Sequence, residues 1–181
     1  MLDLPDVAAW EAWLEAHHES EHEVWLRIAK RHSGLATISI ADALDGALCF
    51  GWIDGQRRGL DEVSFLQRYC PRRARSSWSQ VNVELVARLT TEGRMRPSGL
   101  AEVERAREDG RWDAAYERQS TAAVPEDLVT ALSADPVAAV AFEALGKSER
   151  YAVFLPILKA TTPSAREREV ARSVRLLGGR A

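Results

Sequence analysis

The segment RYCPRRARSSWSQVN, residues 68–82, gathers groups suited to holding an anion. Arg68, Arg72, Arg73 and Arg75 fall within eight residues that contain no acid, and Ser77-Trp78-Ser79 follows at once. A guanidinium is a planar fork that meets a carboxylate or phosphate through two hydrogen bonds. Pro71 restricts Cys70 to extended geometry, so a strand is expected to run up to a turn here. Ser77 with Gln80 three residues on reads as a capping box, which would start a helix at Ser77. The first turn of a helix presents unpaired N–H groups and partial positive charge, so arginines directly before it would complete an anion pocket. Two other readings fit the same residues. One is a charge-protected turn whose arginines meet the acidic N-terminal helix. The other is a nucleic-acid surface on which Trp78 stacks a base. Trp78 also opens the apolar stripe Trp78, Val81, Leu85 and Leu89, which reads as core.

A second group lies in ALCFGWIDGQRRG, residues 47–59. Asp54 stands in the middle of an apolar strand, flanked by Gly51 and Gly55. It reads either as a general acid/base or ligand-binding carboxylate, or as the acid of a buried Asp–Arg network that fixes the hairpin. Cys49 and Cys70 read as small buried hydrophobes more readily than as nucleophiles. His18 and His22 sit four apart among Glu19, Glu21 and Glu23, but no further ligand motif supports a metal site, and HHESEHE reads as a solvated turn. The chain contains no phosphate-loop, dinucleotide-binding, HExxH or GxSxG motif. Neither metal nor cofactor is expected.

The elements that must position these residues follow from periodicity. Val7, Trp10, Leu14 and His17 recur at helical spacing after Pro5. EVWLRIAK alternates as a strand, and Ser39 with Asp42 caps a helix through IADALDGALCFG. WIDGQRR and VSFLQRYC form a hairpin around GLDE. Its expected register puts Trp52, Asp54, Gln56 and Arg58 on the face of Val63, Phe65, Gln67 and Tyr69. Leu100, Val103 and Ala106 define a further helix. Pro125, Pro136 and Pro163 each stand where a helix would begin, and Pro156 should kink or split YAVFLPILKA. The expected class is α+β: a short antiparallel sheet of about three strands packed with helices, then an all-helical C-terminal segment. The expected division is residues 1–117, a linker over 118–124, and helices over 125–181.

The chain of 181 residues carries a net charge of −3, which excludes a generic nucleic-acid binder held by bulk charge. The charge is uneven. Residues 1–45 hold nine acids against three bases, whereas residues 57–75 hold six arginines against Asp61 and Glu62. Two cysteines make no disulfide framework. The N-terminus has neither the basic nor the apolar region of a signal peptide, and no apolar run reaches transmembrane length. A cytoplasmic protein is expected.

The blocks VWLRIAKRHSG, ALDGALCFGWIDGQRRGLDE, FLQRYCPRRARSSWSQVN and PEDLVTALSADP resemble the bacterial YdeI/OmpD-associated (OmdA) family, also called bacteriocin-protection. The resemblance covers nearly the whole chain, with the part from about residue 125 similar to the domain by which the family is recognised. It implies a link to envelope stress and to resistance against cationic antimicrobial peptides, with no defined reaction. The family's polar signature falls on Asp54, Arg58, Arg72, Ser77, Ser79 and Asn82. These residues with Trp78 form the candidate ligand site. The leading expectation is a stress-associated binding protein that holds a small anionic ligand or an acidic protein partner there. The alternatives are an enzyme using Asp54 as acid/base with Ser79 or Asn82 positioning substrate, and a nucleic-acid binder through the arginine cluster.

Overall fold

Alternating Val24, Leu26 and Ile28 against Trp25, Arg27 and Ala29 require a half-buried strand, and the computed structural model, which describes residues 1–179, has one there. The elements are α1 (Val7–His17), β1 (Val24–Ala29), α2 (Ile40–Cys49), β2 (Trp52–Gly59), β3 (Ser64–Pro71), α3 (Gln80–Thr91) and α4 (Pro97–Glu108), followed by α5 (Glu126–Ser133), α6 (Pro136–Glu143), α7 (Lys147–Leu158) and α8 (Pro163–Gly178). The protein is α+β, with a three-stranded antiparallel sheet in the order β1-β3-β2. Two contact units separate. One comprises Met1–Ser76 and Asn82–Trp112. The other comprises Ser77–Val81 and the chain from Asp113 onward.

In the first unit one face of the sheet is closed by aromatic packing. Trp10 of α1 lies 5.7 Å, ring to ring, from Tyr69 of β3, and Trp13 meets Trp52 of β2 edge-on at 5.8 Å. Val24, Leu26, Trp52 and Tyr69 are buried there. The Trp10 indole N–H donates to the Ala43 carbonyl at 2.9 Å and so ties α1 to α2. Ser39 caps α2 as its spacing requires: its hydroxyl accepts from the Asp42 N–H at 3.1 Å. α4 begins directly against the end of α2, where the Arg96 N–H donates to the Cys49 carbonyl at 3.0 Å.

The second unit is built around Leu128, Leu132, Ala138, Phe142, Phe154, Ile157 and Leu177. Asp135 and Thr162 cap α6 and α8, accepting from Ala138 and Ala165 at 3.0 and 3.2 Å. Asp127 of α5 pairs with Arg166 of α8. Pro156 does not split its segment. α7 runs through it and ends at Leu158, so the missing N–H falls in the last turn. The capping box at Ser77 is a correction: α3 starts at Gln80. The Gln80 N–H donates to the Tyr116 carbonyl at 2.9 Å and the Tyr116 N–H to the Trp78 carbonyl at 3.0 Å, which holds residues 78–79 extended.

The α2–α4 junction admits no side chain at Gly99, where a Cβ would stand 2.2 Å from the Cys49 carbonyl oxygen. Gly99→Ala is expected to destabilise the protein by about 1–3 kcal/mol or more, read as a lower denaturation midpoint. Gly59→Ala, where a Cβ meets nothing within 4 Å, serves as the control and should change the midpoint far less.

Candidate functional site in an arginine-bearing hairpin

The hairpin connection is organised by one carboxylate. Asp61 Oδ1 accepts from the Val63 and Ser64 N–H groups at 3.0 and 2.6 Å and from the Ser64 hydroxyl at 2.7 Å, while Oδ2 meets Arg27 at 3.0 Å. The hydrogen bond from Ser64, backed by these N–H groups and Arg27, holds the Asp61 carboxyl below the usual carboxylate range.

The strands pair as Trp52 with Pro71, Asp54 with Tyr69, Arg57 with Gln67 and Arg58 with Leu66, with a β-bulge between Asp54 and Arg57. The expected register is thus displaced. The shift before the bulge is even, so Trp52 and Asp54 keep the face of Tyr69 and Gln67. After the bulge the parity reverses. Arg57 joins Asp54's face, and Arg58 goes to the opposite one. Gln67 holds this irregularity. Its side chain is 2% exposed, its amide donates to the Gly55 and Gln56 carbonyls at 3.0 and 3.4 Å, and its Oε1 accepts from Arg57 Nε at 3.3 Å.

Asp54 is exposed, which overturns the reading of a buried Asp–Arg network. Tyr69, directly across from it, is fully buried, and burial together with the Asp54 charge pushes its hydroxyl pKa up while Arg57 opposes the rise. Arg58 lies over the Trp25 ring at 4.4 Å. Arg72 is buried at 6% exposure, and its N–H donates to the Gly51 carbonyl at 3.0 Å. Arg73 and Arg75 stand exposed on the turn, where the Arg73 N–H donates to the Ser76 hydroxyl at 3.1 Å. Asn82 is half-buried in the first turn of α3. Ser77, Trp78 and Ser79 belong to the second unit, where Trp78 is buried ahead of α3 and not on the helical stripe expected for it. Sequence reasoning missed Arg57 and Gln67. A lone glutamine in the apolar run of β3 was the available signal. It also missed Arg111, buried beneath the turn with its Nε on Asp109 at 2.8 Å and its Nη1 on the Ser76 carbonyl at 2.8 Å.

Most arginines of the first unit are matched by acids. Arg27 meets Asp3 and Asp61, Arg68 meets Glu23, and Arg88 meets Asp45 and Glu92. The acids of α1 do not serve the hairpin: Glu11 holds Arg94 at 2.9 Å and Glu15 reaches Arg96 at 3.9 Å. Arg57 and Arg58 are held differently, over the rings of Phe65 and Trp25, each at 4.4 Å. Neither lies within 4.0 Å of a carboxylate among the described residues.

Other chemistry is weaker. Among the described residues no cluster of three or more His, Cys, Asp or Glu could hold a metal ion, and no helix is long and apolar enough to cross a membrane. A cleft of about 350 Å³ lies between α7 and α8, lined by Val153, Pro156, Glu169, Arg172 and Leu176. Burial pushes the Cys49 thiol from 9.0 up to about 11. An unfolded thiol ionises first as pH rises, so the folded state loses stability between pH 9 and 11. The Cys49→Ala variant should show a flatter stability profile over that window, and native alkylation should leave Cys49 unlabelled until the chain unfolds.

A family model described as a domain of unknown function (DUF8412) matches residues 2–102. A second, described as bacteriocin-protection, YdeI or OmpD-associated (OmdA), matches residues 121–178. No curated protein and no solved structure matches the chain. The first match spans more than half of the 181 residues, so the protein belongs to the family of this domain of unknown function, and its following segment carries the YdeI/OmpD-associated, bacteriocin-protection domain.

Proposed function

We propose that the protein is a binding protein associated with bacteriocin protection and stress, and that its β2–β3 hairpin holds a small anionic ligand or an acidic partner. The observation that carries this reading is the pair of hairpin arginines, Arg57 and Arg58, that rest on rings with no carboxylate at ion-pair distance among the described residues. Arg57 and Arg58 keep their positive charge over aromatic rings, without the carboxylates that neutralise the other pairs of this unit. A stacked guanidinium loses little rotamer freedom when an anion arrives, and its donors remain a fork. Arg72, whose backbone is anchored to Gly51, adds charge at the end of β3. Association with bacteriocin protection is carried by the description of the 121–178 match.

Calorimetric titration with inorganic phosphate, acetate and phosphate-bearing metabolites tests the proposal. The wild type should bind at least one class. The double variant Arg57→Ala/Arg58→Ala should bind about 10-fold or more weakly, the loss of a charge-assisted hydrogen bond of about 1.5–3 kcal/mol. Both residues are exposed, so circular dichroism should show the fold retained. Affinity should also fall with salt. Absence of binding by the wild type, or equal binding by both proteins, rejects the site.

A further inference from the structure

We infer that Arg57 rather than Arg58 grips the anion, and that the ligand is an amino-acid-type zwitterion whose carboxylate meets the Arg57 fork while its ammonium faces Asp54. The inference rests on the anion-site reading above and adds the anchor and the ligand class.

Strict alternation would put residues 54 and 57 on opposite faces of β2. The bulge inserts one residue and brings Arg57 round to the face of Asp54, as the pairs Asp54–Tyr69 and Arg57–Gln67 record. This turn is fixed from inside the sheet. The buried Gln67 amide grips both bulge carbonyls and takes the Arg57 Nε–H, while Phe65 supports the guanidinium plane at 4.4 Å. Nε is therefore committed, whereas Nη1 and Nη2 make no hydrogen bond or ion pair among the described residues. These two donors form the free edge of the fork, in an exposed side chain held from two sides. Arg58 points to the other face, over Trp25 and within the field of Glu23.

The second observation concerns Tyr69. Its hydroxyl is buried and has no hydrogen-bond partner among the described residues. Asp54 pairs with Tyr69 itself and Arg57 with Gln67, two residues along the same face, so both side chains stand on the face of this hydroxyl. Such a pair selects. A phosphate dianion gains from Arg57 but is opposed by Asp54. A zwitterion satisfies both. A carboxylate has about four lone-pair sites, so Asp54 can accept an ammonium beside its partners in the protein.

Calorimetry with the common L-amino acids, acetate and inorganic phosphate tests this. At least one amino acid should bind the wild type more tightly than either simple anion. Arg57→Ala should weaken it about 10-fold or more, and Arg57→Lys, which keeps the charge and loses the fork, should recover only part of that. Arg58→Ala should weaken binding clearly less than Arg57→Ala does. Asp54→Asn should bring the amino acid down to the level of acetate and leave acetate binding in place. Phosphate binding more tightly than every amino acid, or an Arg58→Ala loss equal to that of Arg57→Ala, overturns the inference while leaving the anion site standing. A wild type that binds none of the probes removes the site and the inference together.

Discussion

A single buried amide decides which way the hairpin points its charges. Gln67 sits on a face otherwise closed by Val24, Leu26 and Tyr69, where an unpartnered amide would cost about 1–3 kcal/mol. Two of its partners lie where β2 bulges, the Gly55 and Gln56 carbonyls, and a third is the Arg68 carbonyl at 3.4 Å. Amide and bulge are thus bonded to one another. Their joint consequence is a parity change in β2 that moves one arginine onto the face of Asp54 and the next one off it.

The elements were legible because their signals are local. The alternation of β1, the Ser39–Asp42 cap and the prolines that open α6 and α8 each lie within four residues of what they specify. The register of the hairpin was not legible in the same way. A bulge is a two-against-one count, and polar Gly55-Gln56-Arg57 gives no alternation to show where the extra residue falls. The reading therefore kept Asp54 with Tyr69 but sent Arg58, not Arg57, to their face. The start of α3 failed for a related reason. Ser77 and Gln80 carry a sound local capping signature, yet backbone bonds to Tyr116, distant in sequence, hold the stretch before Gln80 extended. Asp54 read as buried because Trp52 and Ile53 precede it. β2 is an edge strand, however, and leaves cover directly after Ile53.

A chain of negative net charge can hold an arginine-rich stretch at residues 57–75 because the acids of α1 are engaged elsewhere. Glu11 and Glu15 of α1 are engaged by Arg94 and Arg96, at the approach to α4, and thereby fix helices to one another. Arg57 and Arg58 of the hairpin are left to aromatic support, while Arg68 is taken by Glu23. Ion pairs at the surface contribute little to stability, typically about 0–1 kcal/mol, so matching every arginine with an acid would have added little to the fold. Leaving Arg57 and Arg58 on rings gives up little stability and keeps donors available to an incoming anion.

The two family matches then bear on different parts of the chain's chemistry. The bacteriocin-protection description attaches to residues 121–178, whose core is aliphatic and aromatic and whose buried Ser173 and paired Asp127 and Arg166 are engaged in joining helices. The bulged hairpin, with Asp54 and Arg57 on one face, falls within residues 2–102, the domain with no described function. Recognition of a charged ligand needs charges that the fold itself has not neutralised. By that criterion the proposed anion site lies in the hairpin, where Arg57 and Arg58 rest over rings rather than on carboxylates.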